Sequence, residues 1–316
     1  IYKISSEALL KAYPKFNENK DFYLNRISHV TEKFKQTFGE NNSIRIFSAP
    51  GRTEIGGNHT DHQHGCVVAA AIDLDILAAA SANNTNKIRI LSEGYELQEI
   101  NIENLSPVES EINTSPALIR GICAAISKKG YEIKGFDVYA ISNVLKGSGL
   151  SSSAAFEVLI GTIINNMFCN QEINAIEIAQ IGQYAENIYF GKPSGLMDQM
   201  ACSVGNIVAI DFNDTNNPIV EKIDFDFSKS GHSLCIIDSG ADHADLTDEY
   251  SAIPAEMKAV AAFFGKEYLR QVDTDEFMDS IAEIRKKTGD RAVLRAIHFF
   301  NENTRAQKEA KLLKEN

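Results

Sequence analysis

Three stretches of this chain carry side chains able to do chemistry together. The first is Gly147-Ser148-Gly149-Leu150-Ser151-Ser152-Ser153-Ala154-Ala155. It follows a strand-like segment in which Phe136, Val138 and Ala140 alternate with Asp137 and Tyr139. It precedes a segment in which Phe156, Leu159, Ile160, Ile163, Ile164 and Met167 recur at the spacing of one helical stripe. A helix start offers unpaired N–H groups and a partial positive charge, and Gly147 and Gly149 admit a ligand to the backbone with no Cβ in the way. Phosphate suits such a place. Neither the Walker A loop nor the dinucleotide fingerprint is matched, because no Gly-Lys-Ser/Thr follows and Ser152 stands where a third glycine would be. What remains is a serine-rich anion cradle whose hydroxyls also reach a magnesium ion. The competing reading is an exposed turn in which Ser151 or Ser152 caps the helix.

The second stretch runs from Ala49 to Gly65, a polar loop with four glycines and one proline, delivered by a strand-like Ser43–Ser48. Arg52, Asn58, His59 and Asp61 place donors and acceptors close together, as recognition of several hydroxyl groups demands. A sugar fits that inventory. Two other readings stay open: a metal site made from His59, His62 and His64, or a solvated surface loop.

The third stretch is Lys192-Pro193-Ser194-Gly195-Leu196-Met197-Asp198-Gln199-Met200-Ala201. With Ser194 as N-cap, Asp198 falls in the first turns of a short helix, near its positive end. Read alone, it is equally a surface carboxylate paired with the helix dipole.

Gly-Arg-Thr-Glu-Ile-Gly-Gly-Asn-His-Thr-Asp-His-Gln-His-Gly resembles the signature of galactokinases, and Gly-Ser-Gly-Leu-Ser-Ser-Ser-Ala-Ala is similar to the phosphate-binding motif of the wider GHMP small-molecule kinases. The segment around Met197-Asp198-Gln199 resembles a third family motif. The resemblance implies an α+β, two-domain GHMP-kinase-like fold: an N-terminal α/β domain over residues 1–220 and part of a C-terminal α+β domain over 221–316. It implies transfer of the γ-phosphoryl group of ATP to the anomeric hydroxyl of galactose. Asp198 and Arg52 are then the catalytic pair, and Asn58, His59, Asp61 and Tyr250 read the sugar. Residues Gly147, Ser148, Gly149, Leu150, Ser151, Ser152 and Ser153 hold the ATP phosphates, with Ser153 a magnesium ligand. Alternatives are a kinase for N-acetylgalactosamine and a sensor that binds sugar and ATP without turnover.

The chain departs from the family at Asn58, usually glutamate, and at Leu145, usually proline. Ser115 and Pro116 offer no aromatic residue where the family often holds adenine. The family's last glycine-rich motif has no counterpart after Gly231, and the first residue is Ile1 rather than Met, so the expectation is a truncated chain.

The elements that must position these residues alternate along the sequence. Residues 1–40 read as helices broken at Asn17-Glu18-Asn19, and Cys66–Ser81 reads as a strand. Asn83–Asn86 reads as a turn, 88–91 as a strand, with a third over 95–102. Pro116 opens a helix to Ile126. Asn174-Ala175-Ile176-Glu177 starts another that ends near Gly191. Asn206–Phe212 and Ser233–Asp238 read as strands, with a boundary in 213–230, and helices follow to the end, Tyr250 at the head of the first.

For 316 residues the length prior is about two domains. With 44% apolar and 23% charged residues the composition is that of a globular protein, and the net charge of −12 argues against broad nucleic-acid or anionic-membrane surfaces. Any phosphate is therefore held locally. Five scattered cysteines in no metal or disulfide pattern suggest reduced thiols and a cytoplasmic protein. The resemblance implies sugar and ATP as small-molecule partners, and the sequence leaves both a monomer and a weak oligomer open.

Overall fold

The computed structural model describes residues 5–13, 15–40, 43–145, 147–232, 234–237 and 247–315. Its elements in order are α1 (Ser6–Ala12), α2 (Lys20–Phe38), β1 (Arg45–Gly56), β2 (Cys66–Ala82), β3 (Lys87–Ser92), β4 (Gln98–Asn101), α3 (Ser115–Lys128), β5 (Phe136–Ser142), α4 (Ser152–Phe168), α5 (Ala175–Tyr184), α6 (Met197–Val204), β6 (Ile207–Asp211), β7 (Ile219–Ile223), α7 (Thr247–Phe263), α8 (Thr274–Thr288) and α9 (Asp290–Glu315). They form two compact units that interleave along the chain: residues 1–51, 72–146 and 150–203 make one, and 52–71, 147–149 and 204–316 make the other. Strands β1 and β2 pair with each other and contribute residues to both.

In the first unit the strand order is β4-β3-β5-β2, with β3 and β5 parallel and the other pairs antiparallel. Strand β5 was expected to be half-buried, but both its faces are covered. Phe136, Val138 and Ala140 join a core with Ala78 and Ala80 under α3, α4 and α5. Tyr139 points the other way, with Leu77 and Ala79, against Tyr23, Ile27, Val30 and Phe34 of α2. Asp137, on that second face, is buried because Arg89 grips it through two 2.7 Å hydrogen bonds and Asn83 adds a third. Each large side chain removed from water here contributes about 1.5–3 kcal/mol. Helix α4 is buried beyond the expected stripe: Val158 joins Leu159, Ile160, Ile163 and Ile164 in the core, while Phe156 and Met167 are only partly covered.

The second unit pairs the start of β2 with β6, and β6 with β7, all antiparallel. Residues 213–218, at the start of the stretch where composition suggests a boundary, turn between β6 and β7 inside this unit. Ala306 and Ala310 of α9 pack on Val68, Ala70 and Ile207, and the small alanines let the helix approach the strands. Helices α7, α8 and α9 close a second core around Met257, Val260, Phe277, Ile284 and Phe299.

Four local expectations change. The loop expected from Ala49 begins as strand, since β1 continues to Gly56. Strand β7 was not foreseen. The strand expected over Ser233–Asp238 is not formed by residues 234–237, where Leu234, Ile236 and Ile237 are exposed; Ser233 and Asp238 lie outside the described residues. The helix after Asn174 does carry its capping box with Glu177, but its last turn, 185–190, is π-helical before Gly191 ends it at φ +88°.

Candidate active site

Within the second unit, the polar loop is a closed structure. Gly57 adopts φ +94°, and a Cβ there would lie 2.4 Å from the Cys66 carbonyl oxygen, so no other residue fits the turn. The buried Thr60 hydroxyl lies 2.8 Å from the Gly57 carbonyl and 2.7 Å from that of Cys66, drawing the neck of the loop together. Residues 61–63 make one tight helical turn, and the Asp61 carboxylate accepts the His62 backbone N–H at 2.8 Å.

Asn58, His59, Asp61 and Tyr250 all belong to this unit. The His59 backbone is left-handed, at φ +58°, a conformation usually reserved for glycine and asparagine. Its ring meets Tyr250 edge-on with centroids 6.1 Å apart and lies 6.0 Å from the His62 ring. Burial, then the neighbouring His298 and Arg295, lowers the His59 pKa from its ordinary value, and burial followed by His59 pushes His62 down to about 4. Both shifts favour the neutral imidazole, and the two buried ring nitrogens of His62 have no hydrogen-bond partner among the described residues. The Asn58 amide donates to Glu54 at 2.9 Å, so Glu54 orients the residue that replaces the family's glutamate. Among the described residues no group of three or more His, Cys, Asp and Glu side chains is arranged to hold a metal, which removes the reading of His59, His62 and His64 as a metal site.

Arg52 donates through Nη1 to the Gly149 carbonyl at 2.6 Å, in the same unit. Gly147 and Gly149 stand at φ +74° and +73°, and a Cβ at either would meet nothing within 4 Å. Here glycine serves the turn and leaves its surroundings open.

Leu150, buried in the first unit, separates Gly149 from Ser151. Ser151 is the N-cap residue of α4, but at φ 57° it makes no side-chain cap. Its hydroxyl instead donates to Asp198 Oδ2 at 2.5 Å. This disposes of the capping reading: the hydroxyl is turned from the helix to a carboxylate. Ser152 is half-buried and Ser153 exposed at the helix start.

Asp198 is the second residue of α6, as expected, but Ser194 is not its cap. The Ser194 hydroxyl donates to Glu186 at 2.6 Å. Beside Asp198, the buried Gln199 donates from one amide nitrogen to Glu157 at 2.9 Å and to Glu186 at 2.8 Å, and Lys192 pairs with Glu186 at 3.0 Å. Burial, reinforced by the charge of Glu186, pushes the Glu157 pKa up to about 9, so it carries a proton at neutral pH. The sequence carries one signal of this network: Glu157 is the only charged residue of the helix from Ser152 to Phe168 and stands among its apolar residues.

A sheet covered by helices on both faces, with a glycine- and serine-rich turn leading into one of them, defines the class. Residues 117–206 match the GHMP kinases N terminal domain, and residues 32–82 match the Galactokinase galactose-binding signature. The chain is 30% identical to a galactokinase of Streptomyces coelicolor, over 90% of this chain and 72% of that one. It is 32% identical to a galactokinase of Actinobacillus pleuropneumoniae, over 91% and 73%. Among solved structures, Lactococcus lactis galactokinase complexed with galactose superimposes with a TM-score of 0.74 at 25% identity, covering 91% of this chain and 74% of that one. Methanococcus jannaschii mevalonate kinase, at 16% identity and a TM-score of 0.53, shares the fold. The chain belongs to the galactokinase family.

Proposed function

We propose that this protein transfers the γ-phosphoryl group of ATP to the anomeric hydroxyl of galactose, giving galactose 1-phosphate and ADP. The observation that carries the reading is the Ser151–Asp198 hydrogen bond, which ties a carboxylate to the N-cap residue of the helix that follows the phosphate loop. Asp198 accepts the proton of the sugar hydroxyl as its oxygen attacks the γ-phosphorus in line, and the bond to the ADP oxygen breaks. Phosphoryl transfers of this kind depend on positioning and on neutralising charge. Arg52, anchored on Gly149, offsets charge on the transferring oxygens, and the N–H groups at the start of α4 receive phosphate.

His59, Asp61, Asn58 and Tyr250 recognise the sugar hydroxyls, and the wrong epimer leaves some of these polar groups unpaired. Magnesium suits the hard oxygen donors present, the Ser153 hydroxyl with support from Ser151 and Ser152. With so few protein ligands most of its shell comes from phosphate and water, and when bound it neutralises phosphate charge. The protein acts in the cytoplasm; among the described residues no helix is long and apolar enough to cross a membrane.

A coupled assay of ADP release with a panel of hexoses tests the proposal. Galactose should support turnover well above glucose. Equal turnover with N-acetylgalactosamine would reassign the substrate, and sugar binding without turnover would make the protein a sensor.

A further inference from the structure

The loop that carries Asn58, His59 and Asp61 is held at both ends by one helix far along the chain. Glu302, buried on α9, accepts the Gly57 backbone N–H at 3.2 Å. His298, one turn earlier on the same face, lies 2.9 Å through Nε2 from the Asn58 carbonyl oxygen. A carbonyl can only accept, so Nε2 carries the hydrogen and the tautomer is fixed by this contact. Asn303 accepts the Cys66 N–H at 2.8 Å, where the loop re-enters β2. The Glu302 charge is answered by Arg305, and a Cβ on Gly65 would meet Phe299 at 3.0 Å, so the helix lies hard against the loop. The gripped atoms are backbone atoms, so the grip itself takes up no side-chain atom of residues 58, 59 and 61. A left-handed His59 next to the gripped Asn58 carbonyl is a conformation that needs such outside restraint.

We propose that His298, Glu302 and Asn303 are positioning residues for galactose: they fix the backbone of residues 57–66, so that sugar affinity is set in part by a helix about 240 residues downstream of the loop. The proposal rests on the reading of this loop as the sugar site. Removing a grip lets the loop sample other conformations, and a side-chain set presented in the right geometry only part of the time binds proportionally less well. Sugar binding therefore weakens while ATP binding does not.

The experiment uses the full-length protein. Galactose-dependent ADP formation by the parent is measured first, and its absence refutes the sugar-kinase reading itself. With turnover established, His298→Ala, Glu302→Ala and Asn303→Ala are compared for the KM of galactose, the KM of ATP and the thermal midpoint. We expect the galactose KM to rise about tenfold or more in Glu302→Ala and severalfold in His298→Ala, with the ATP KM within twofold. His298→Gln and Glu302→Gln, which keep a donor and an acceptor at similar reach, should recover most of the loss. An unchanged galactose KM in the alanine variants overturns the proposal, as does a joint rise of both KM values. Should Glu302→Ala not fold, His298→Ala decides alone, since its contact is at the exposed edge of the loop and its removal spares both cores.

Discussion

At the scale of single residues, the chemistry turns on a hydroxyl spent on a carboxylate instead of on its own helix. Ser151 leaves α4 without a side-chain cap and holds Asp198, a choice that makes sense if the helix start must stay open to phosphate. Asp198→Asn should lower kcat by at least 10²–10⁴-fold, the usual contribution of a positioned base, with the dissociation constants of galactose and ATP nearly unchanged. Retained turnover would remove Asp198 from its role. Glu157 makes a separate prediction. Its folded-state pKa, near 9, lies above the ordinary 4.5, so the folded protein holds a proton that the unfolded chain releases between those values. Stability from this group is complete below pH 4.5 and is lost as pH rises toward 9. The thermal midpoint should fall from pH 5 to pH 9 in the parent and fall less in Glu157→Gln; parallel slopes would clear Glu157 of the effect. Asp198 was legible in the sequence through its neighbours Met197 and Gln199. Its partner Ser151 could not be told from an ordinary cap, because capping and bridging serines look alike until the chain is folded.

At the scale of elements, the sugar loop is a short strand end, a glycine turn and one tight helical turn, closed by Thr60. Gly57→Ala should destabilise the protein by at least about 1–3 kcal/mol, since it adds both a left-handed penalty and a clash with the Cys66 carbonyl. Thermal unfolding measures this, and an unchanged midpoint would mean the turn refolds differently. Asn174→Ala removes the reciprocal capping box of α5 and should cost about 1 kcal/mol without affecting the KM of either substrate. Helices α2, α4 and α8 were readable from periodicity, α3 from the proline in its first turn, and α5 from its cap. Strand β7 was not, because Ile219-Val220-Glu221-Lys222-Ile223 is short and largely exposed, carrying little apolar pattern. The grip of α9 on the loop was equally hidden, since nothing in His298 or Glu302 points to a backbone group in a loop near the start of the chain.

At the scale of the molecule, two compact units share strands β1 and β2, and the interleaving follows from a sheet order that sequence order does not reveal. The motifs named the family because they are long and specific. The two-faced burial of β5 was invisible because Asp137 looks like a solvent-facing residue until Arg89 is brought beside it. With a net charge of −12, the molecule offers phosphate no broad attraction, and the proposed function assigns nucleotide binding to the glycine and serine turn and Arg52. Raising salt should therefore change the KM of ATP only weakly, whereas a diffuse cationic surface would give a steep dependence.

The most direct test of the whole account is the product of one reaction: purified protein, ATP, magnesium and galactose, with sugar phosphates separated and identified. Galactose 1-phosphate formed in equal amount to ADP is the expected result. ADP formed at the same rate with and without galactose, and no phosphorylated sugar, would contradict it.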